Sequence, residues 1–291
     1  MTKRWNSICI NCIVKKHLTS YPADAPEEQK VAYMNELFQI LLNAKEDQCG
    51  AVISEKVRQL KKRLFGITPD FSEIKHTFNQ LMLSLEDEIY QKILDSDNLL
   101  YTTLQYVMAA NYIDFGALKD VSKDKLMSLL SEAQTKELPK EAYEKLKSDL
   151  ENSKICVVLT DNCGEIVLDK VMIRILKKLY PNLHIEAIVR GLPAANDATI
   201  EDAIEVGLCD IVPVIGNGTA YTGTYLPEIS NEALDLLQNA DLIIAKGMGN
   251  FESMNGCGLN IYYLFLCKCE MFTNRFHAEM FDGMLIREMD L

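Results

Sequence analysis

The sequence predicts an α/β protein with a Rossmann-like, mostly parallel sheet that has helices on both faces and follows a helical N-terminal bundle. Two observations lead to this prediction. Up to about residue 150, apolar residues recur at three- and four-residue spacing, which is typical of helices. From residue 154 onward, short apolar runs alternate with helical segments, which is typical of βαβ units. We therefore expect a helical domain over residues 1–150 and an α/β domain over residues 151–291.

The helical half is predicted from segments that are rich in Leu, Lys, Glu and Gln. Leu81, Leu85, Ile89 and Ile93 show the four-residue spacing that places side chains on one face of a helix. Helices are expected over residues 32–43, 53–64, 72–93 and 123–133. A bundle follows, because each amphipathic helix must bury its apolar face against a neighbour.

The strands of the second half are predicted from short, mostly apolar runs, which are typical of strands buried on both faces. Pro213 suits an edge strand better than a central one, because proline lacks the N–H that a sheet interior uses. Strands are expected over residues 155–159, 185–189, 211–215 and 242–245, with two more near 263–268 and 283–287. Helices are expected over residues 165–179, 200–206 and 231–238. Their alternation predicts a parallel sheet with right-handed crossovers.

Composition argues against several classes of protein. The formal net charge of −12 disfavours nucleic acid as a partner, because duplex binding needs clustered Lys and Arg. No apolar run reaches the roughly 18 to 20 residues that cross a bilayer, so no membrane partner is expected. The first residues lack the pattern of a secretory signal, and the nine cysteines are expected to be reduced thiols. We therefore expect a cytoplasmic protein.

Polar residues follow each of the first four predicted strands, at the point where the strand ends. Because the carboxyl ends of parallel strands meet at one edge of a sheet, these residues are expected to converge there. They are Thr160-Asp161-Asn162-Cys163-Gly164-Glu165, then Arg190-Gly191 with Asn196-Asp197-Ala198-Thr199, then Gly216-Asn217-Gly218-Thr219, and finally Lys246-Gly247-Met248-Gly249-Asn250-Phe251-Glu252.

The residue types at this edge indicate phosphoryl-transfer chemistry. Two carboxylates and a carboxamide are hard oxygen ligands, which suit magnesium, manganese or a similar divalent ion. Lys246 and Arg190 are cations that could neutralise a phosphate, and glycines let backbone N–H groups approach its oxygens. A divalent ion with phosphate-binding cations meets the main needs of phosphoryl transfer, since charge neutralisation and positioning supply most of the acceleration.

Each motif by itself also has a purely structural interpretation. An Asp-Asn pair at a strand end is commonly a turn or a helix cap, and Asn196-Asp197-Ala198-Thr199 could cap the following helix. Lys246-Gly247 could be a turn. Neither a Walker sequence nor a Gly-x-Gly-x-x-Gly turn is present in the sequence, so nucleotide-binding fingerprints are absent. The coincidence of all these motifs at one edge favours a functional site.

The motifs also resemble those of the metal-dependent damage-control phosphatases, a family long catalogued as a domain of unknown function. They occur in the family's order and span nearly the whole chain. Cys9-x-x-Cys12 and Lys268-Cys269 are similar to the shorter, prokaryote-type branch. The similar segments are Asn111-Tyr112-Ile113-Asp114-Phe115-Gly116, Asp161-Asn162-Cys163-Gly164-Glu165, Arg190-Gly191 with Asn196-Asp197, Gly223-Thr224, and Lys246-Gly247-Met248-Gly249-Asn250-Phe251-Glu252.

The resemblance implies a divalent metal cofactor, often manganese, cobalt, nickel or magnesium. By motif match, the metal ligands are Asp161, Asn162 and Asp197, and the catalytic residues are Asp161, Asp197 and Lys246. Lys246 is implied to bind the phosphate. The other substrate-binding residues are then Asn250, Glu165 and Arg190, with Asn111 and Asp114 closing the site from the helical side.

We therefore expect a metal-dependent phosphomonoester hydrolase that acts on small phosphorylated metabolites, such as sugar phosphates or damaged phospho-metabolites. The attacking group stays open between a water activated by the ion and the carboxylate of Asp161 or Asp197. Two other functions stay open. One is a non-catalytic sensor of phospho-metabolites or metal ions. The other is a Rossmann-like methyltransferase, which would need a glycine-rich turn where Asp161-Asn162 stand.

The cysteines suggest one further possibility. Cys9 and Cys12 have the two-residue spacing of a zinc half-site, which His17 or the pair Cys267 and Cys269 would have to complete. We favour the alternative, in which the two residues are reduced thiols at the start of a helix.

Overall fold

The computed structural model describes residues 5–111, 127, 128, 130 and 136–291. Asp114, with the rest of segment 112–116, lies outside the described residues. So does most of the helix expected over residues 123–133.

Six helices precede the first strand within the described residues. Three of them confirm the helices expected over residues 32–43, 53–64 and 72–93. The most N-terminal helix begins at Ser7 and is capped by Asn6, whose side-chain oxygen accepts hydrogen bonds from the backbone N–H groups of Ile8 and Cys9 at 3.0 and 3.1 Å. The helices are α1 (Ser7–His17), α2 (Glu27–Leu42), α3 (Gly50–Phe65), α4 (Ser72–Leu94), α5 (Leu99–Ala110) and α6 (Lys140–Asn152).

The second half forms a six-stranded sheet in the order β3-β2-β1-β4-β5-β6. The first five strands are parallel and β6 is antiparallel to β5, which confirms the mostly parallel sheet. The strands are β1 (Ile155–Leu159), β2 (His184–Val189), β3 (Val214–Gly216), β4 (Leu242–Lys246), β5 (Ile261–Leu266) and β6 (Gly283–Arg287).

Two strands begin two or more residues away from the expected position. β3 begins at Val214 instead of residue 211 and lies at the edge of the sheet, as Pro213 indicated. The carbonyl of Pro213 still accepts a hydrogen bond from the N–H of Ala187 at 3.0 Å, which does not need the missing proline N–H. β5 runs over Ile261–Leu266 instead of residues 263–268.

Five helices connect or follow the strands among the described residues. The first three confirm the helices expected between the strands. The last two are short and were not predicted, because seven residues give too weak a periodic pattern. The helices are α7 (Glu165–Leu179), α8 (Ile200–Glu205), α9 (Asn231–Asn239), α10 (Met248–Met254) and α11 (Glu270–Phe276).

Helices cover both faces of the sheet. Side chains of β1 alternate between two apolar clusters, with Val158 in one and Val157 in the other. The first cluster includes residues of α4, α5 and α7, and the second includes residues of α9, α10 and α11. Each fully buried valine or leucine contributes roughly 1.5–3 kcal/mol to folding, so both layers stabilise the sheet.

Apolar residues on both sides of residue 150 belong to the same cluster. Ile89 of α4 and Leu104 of α5 are buried together with Val158 and Leu264 of the sheet. The division into a helical domain over 1–150 and an α/β domain over 151–291 stays a prediction. No helix in the described part of the chain is both long enough and apolar enough to span a membrane.

The strand order identifies a switch point. β1 lies between β2 and β4, so the chain leaves β1 toward one edge of the sheet and later returns to its other side. Loops that follow strands at such a point diverge and leave a crevice beyond the carboxyl ends. The Asp161-Asn162 pair follows β1 and the Lys246-Gly247 pair ends β4, so both motifs lie at this crevice.

Candidate active site

The loops after β1 and β2 are joined in a way that brings the proposed metal ligands together. Asn162 and Asp197 form an isolated antiparallel β-bridge. Beside it, the N–H of Ala198 donates to the carbonyl of Asp161 at 2.8 Å. Asp161, Asn162 and Asp197, which are 36 residues apart at the extremes, therefore become neighbours.

The Asp161 carboxylate is held by amide donors from both halves of the chain. Its Oδ2 accepts from Asn162 Nδ2 at 2.8 Å and from Asn111 Nδ2 at 3.2 Å. Arg190 Nη2 lies 3.5 Å from its Oδ1. Asn111 ends α5, so the helical half supplies one side of the site, as the motif match implied for this residue.

The Asp197 carboxylate is paired with Arg190. Arg190 Nε donates to Asp197 Oδ2 at 2.6 Å, and its Nη1 donates to Asn250 Oδ1 at 3.0 Å and to Thr224 Oγ1 at 3.2 Å. Arg190 is only 1% exposed. Its guanidinium therefore lies behind the carboxylates and away from solvent.

Lys246 is buried between two carboxylates of α7. Its Nζ lies 2.5 Å from Glu165 Oε1 and 3.0 Å from Asp169 Oδ1, and its side chain is 0% exposed. Burial opposes ionisation of this ammonium, yet Asp169 and Glu165 raise its pKa above the usual range. Burial likewise opposes ionisation of Glu165, but Lys246 lowers its pKa.

The carboxylates nearest the crevice are destabilised as anions. Burial, then the charges of Asp197 and Glu165, raises the pKa of Asp161 well above its usual range. Burial also raises the pKa of Asp197, against the effect of Arg190. Burial raises the pKa of Asp169 to about 6. The positive charge of Arg190 and Lys246 therefore does not offset the effect of burial on these three carboxylates.

The excess of negative charge in the site is equal to the charge of one divalent ion. Among the described residues, the ion pairs of this network join four carboxylates to two cations, so the network has two more negative than positive charges when all the carboxylates are ionised. Buried carboxylates are stable as anions when they are paired or ligate a metal. The carboxylates are those of Asp161, Glu165, Asp169 and Asp197, and the cations are Arg190 and Lys246.

The donor set is one of oxygens only. Among the described residues, no three side chains of His, Cys, Asp or Glu form a cluster that could hold a metal ion. The candidate ligands are instead the carboxylates of Asp161 and Asp197 with the carboxamide of Asn162. Asn162 Oδ1 accepts from Asn196 Nδ2 at 2.7 Å and keeps a second lone pair. Such oxygens suit hard divalent ions.

These residues open onto a cavity of about 920 Å³, which we call the main cavity. Asn111, Asp161, Asn162 and Asp197 line it on the side of the sheet. Helix α1, the start of α3, the start of α10 and the β5–α11 connection line other parts of it. Its volume is within the range of about 300–1,000 Å³ that is usual for small-molecule sites.

The other residues expected at the site do not line this cavity. Glu165, Arg190, Lys246 and Asn250 lie in a buried layer behind the carboxylates, with Asn250 accepting from Arg190 and donating to the carbonyl of Thr160. Lys246 and Arg190 are paired with carboxylates and do not face the main cavity, where a phosphate would bind. The sequence identified Lys246 and Arg190 as cations near the site. It did not show that carboxylates of the protein itself pair with them.

Three residues near the site were given no role from the sequence. Lys268 and Glu252, which belong to the family-like segments, line the main cavity. Lys268 follows β5, so the rule that polar residues after a strand converge would have found it. Asp169, the second partner of Lys246, lies one helical turn beyond Glu165 on α7, a spacing that places both carboxylates on one face.

The two cysteines of the Cys9-x-x-Cys12 motif also line the main cavity. Cys9, Cys12 and Cys269 line it together. All nine cysteines are among the described residues and none forms a disulfide. No cluster that could hold a metal ion includes Cys9 and Cys12 in the described part of the chain. Their state as reduced thiols stays a prediction.

Known proteins share this sequence pattern over nearly the whole chain. A model of the damage-control phosphatase ARMT1-like domain matches residues 5–283. The uncharacterized protein MJ0202 of Methanocaldococcus jannaschii is 32% identical over 250 residues, which cover 83% of this chain and 81% of that protein. A damage-control phosphatase of Archaeoglobus fulgidus is 28% identical over 271 residues, 90% of this chain and 92% of that protein.

A solved structure shares the fold. The crystal structure of a DUF89 family protein, PH1575 of Pyrococcus horikoshii, superposes with a TM-score of 0.80 and covers 97% of this chain and 98% of its own. The two sequences are 22% identical in that superposition, so the likeness shows a common fold.

Proposed function

This chain belongs to the damage-control phosphatase ARMT1-like domain family, and we propose that it is a metal-dependent phosphatase that hydrolyses phosphate monoesters of small metabolites. Relatives named damage-control phosphatases support phosphatase activity. One observation carries the finer proposal. Two buried carboxylates and a carboxamide open onto a cavity of about 920 Å³ from a network that is short of positive charge.

We propose that Asp161, Asn162 and Asp197 hold the divalent ion, which is manganese, cobalt, nickel or magnesium. When bound, such an ion supplies a positive charge that draws electron density from phosphoryl oxygens. The high pKa of Asp161, caused first by burial and next by Asp197, supports the assignment because ionisation of both groups needs a nearby cation.

The buried cations are proposed to position the ligands. Arg190 fixes Asp197 through its Nε, and Lys246 fixes Glu165, whose Oε2 accepts from Asn111 at 2.9 Å. Asn111 in turn donates to Asp161. Each ligand carboxylate is thus oriented by a neighbour that is itself held, which is the usual support for a metal site.

The main cavity has lysines in its own wall, namely Lys15, Lys16 and Lys268. Lys268 lines the main cavity, and its charge lowers the pKa of Asp161 against the dominant effect of burial. We propose that Lys268 neutralises charge on the phosphate in the cavity, which is the role that the sequence motif suggested for Lys246. The attacking group remains either a water in the cavity or one of the two carboxylates.

The test is phosphate release by metal-stripped protein resupplied with manganese, cobalt, nickel, magnesium or zinc. The substrates are a chromogenic phosphate ester and a panel of sugar and cofactor phosphates. We expect metal-dependent release by the wild type and by Asp210→Ala, an exposed control, and at least a 100-fold loss in Asp161→Ala. Release by Asp161→Ala at the wild-type rate would refute the ligand assignment. Tight binding of a phosphorylated compound without turnover would indicate a sensor.

A further inference from the structure

A smaller cavity of about 230 Å³, which we call the side cavity, adjoins the main cavity. The two share five lining residues, so they lie directly beside each other. The shared residues are Lys16, Ala51, Ser54, Ala195 and Thr222. The volume of the side cavity is below the usual range of about 300–1,000 Å³ for a whole ligand, which suits a single chemical group.

The side cavity has an excess of positive charge. Lys16, Lys61 and Arg58 line it, with Glu55 as the carboxylate among its lining residues. Glu55 is occupied by Arg58, through contacts of 2.5 and 2.7 Å. Burial, then the charge of Lys16, lowers the pKa of Lys61. Lys16 and Lys61 therefore face each other's charge within the described residues without a shared counterion.

An unsatisfied histidine lies in the same wall. His17 is 7% exposed, and neither of its ring nitrogens has a hydrogen-bond partner among the described residues. Its backbone is fixed, because its carbonyl accepts from Tyr33 Oη at 2.8 Å and from Ser20 Oγ at 2.9 Å. A buried polar ring without a partner is destabilising, so this position favours a ligand that supplies an acceptor.

We infer that the side cavity is an anion subsite that binds a second phosphate or carboxylate group of the substrate, while the scissile phosphate ester lies at Asp161 and Asp197. The inference rests on the proposed function and narrows its substrate class to metabolites with two anionic groups. Lys16 and Lys61 supply charge, and the His17 ring supplies an N–H donor to the same group. Ser54, on the shared wall, adds a hydroxyl donor.

The first experiment compares matched substrates that differ in one anionic group. Glucose 1-phosphate is compared with glucose 1,6-bisphosphate, and glycerol 3-phosphate with 3-phosphoglycerate, on the manganese-loaded protein. We expect kcat/KM to be about tenfold higher for the member with the second anion, since one charge-assisted contact is worth about 1.5 kcal/mol. Equal kcat/KM within both pairs would overturn the inference.

The second experiment changes the subsite. Lys61→Met is expected to abolish the preference. KM should rise for the member with the second anionic group, whereas kcat/KM for the single-phosphate member should fall much less. Lys62→Met, an exposed lysine beside Lys61 on α3, is the matched control and should leave both values unchanged. Equal losses on both members of a pair would contradict a subsite for the second anion.

A binding measurement separates this inference from the proposed function. Inorganic phosphate is titrated calorimetrically into metal-free wild type, Lys61→Met and Lys62→Met. If Lys61→Met weakens phosphate binding about tenfold but the wild type releases phosphate from no substrate, the anion subsite is supported and the proposed phosphatase activity is rejected. Binding equal in all three proteins would reject the subsite. Phosphate that binds at Lys61 without competing with the bisphosphate would identify a free anion as occupant and overturn the substrate assignment.

Discussion

Gly247 lies directly against Asp161: a β-carbon at position 247 would stand 2.1 Å from the carboxylate carbon of Asp161. The φ of Gly247 is +79°, a conformation that side chains other than glycine rarely adopt. The two residues follow adjacent strands, β4 and β1. The Lys-Gly motif at the end of β4 therefore leaves the space in which the Asp161 carboxylate stands.

Gly247→Ala is expected to displace the Asp161 carboxylate and to weaken manganese binding at least tenfold. The backbone strain alone costs about 1–2 kcal/mol, and the clash with Asp161 adds to it. Gly66→Ala is the control, because Gly66 has a φ of +68° but no atom within 4 Å of the added carbon. Calorimetric metal titration and thermal unfolding measure both. Manganese affinity unchanged in Gly247→Ala would contradict the contact.

Lys246→Met is expected to lower the free energy of unfolding by about 3–5 kcal/mol, because it leaves Glu165 and Asp169 buried without their cation. Lys92→Met removes an exposed lysine paired with Glu88 at 3.0 Å and should change stability by less than about 1 kcal/mol. Chemical denaturation of the metal-free proteins gives both values. A fully stable Lys246→Met with a raised KM would instead support the phosphate contact that the sequence motif suggested.

Asn111→Ala is expected to weaken metal binding by about 10- to 100-fold, since Asn111 donates to both Asp161 and Glu165 and orients them. Asn152→Ala, an exposed asparagine at the end of α6, is the matched control. Metal affinity is measured by competition with a chromogenic chelator. If Asn111→Ala binds manganese as tightly as the wild type does, Asn111 has no orienting role.

Glu252 predicts a pH dependence of stability. Burial raises the pKa of Glu252 to about 7 from its ordinary value of 4.5, so the folded protein holds this proton more tightly than the unfolded chain. The wild type is therefore expected to lose stability as pH rises from about 4.5 to 7, and to lose no more through this group above that. Glu252→Gln should remove the part of this loss that Glu252 contributes, whereas Glu270→Gln, at an exposed position, should retain the whole loss. Thermal unfolding midpoints at several pH values provide the measurement, and parallel curves for wild type and Glu252→Gln would refute the assignment.

Cys9 and Cys12 are not expected to bind zinc. The double variant Cys9→Ser and Cys12→Ser is expected to retain the zinc content of the wild type, because no cluster of three metal-binding side chains forms among the described residues. Elemental analysis of the purified proteins measures the zinc content. Zinc bound by the wild type and lost from the double variant would show that Cys9 and Cys12 ligate a metal.

Much of the fold was determined by local pattern. The apolar runs predicted β1 and β4 almost to the residue, because strands buried on both faces are apolar at every position. Pro213 indicated an edge strand, and β3 lies at the edge. Glutamate, lysine and leucine periodicity likewise predicted α3 and α4. The rule that strand ends converge then predicted, from sequence alone, that Asp161, Asn162 and Asp197 lie close together.

The tertiary structure decided how the charges are distributed. Nothing in the sequence near Lys246 shows that Glu165 and Asp169, on a helix 77 residues earlier, enclose its ammonium. Arg190 is likewise held by Asp197 and Asn250, which are 7 and 60 residues away. Residue type alone identifies a cation, but the energy of a buried cation depends on partners that only folding brings within hydrogen-bond distance.

The sequence by itself determined the class of fold, the family and the oxygen-rich edge of the sheet, because each depends on residue types at short spacing. Only the tertiary structure decided which cations face the cavity, since this depends on contacts between distant segments. It placed Lys268 in the wall of the main cavity, and Lys16, Lys61 and His17 in the wall of the side cavity. Helices α1 and α3 supply those three residues, and their position over the sheet edge is set by packing that no local pattern encodes.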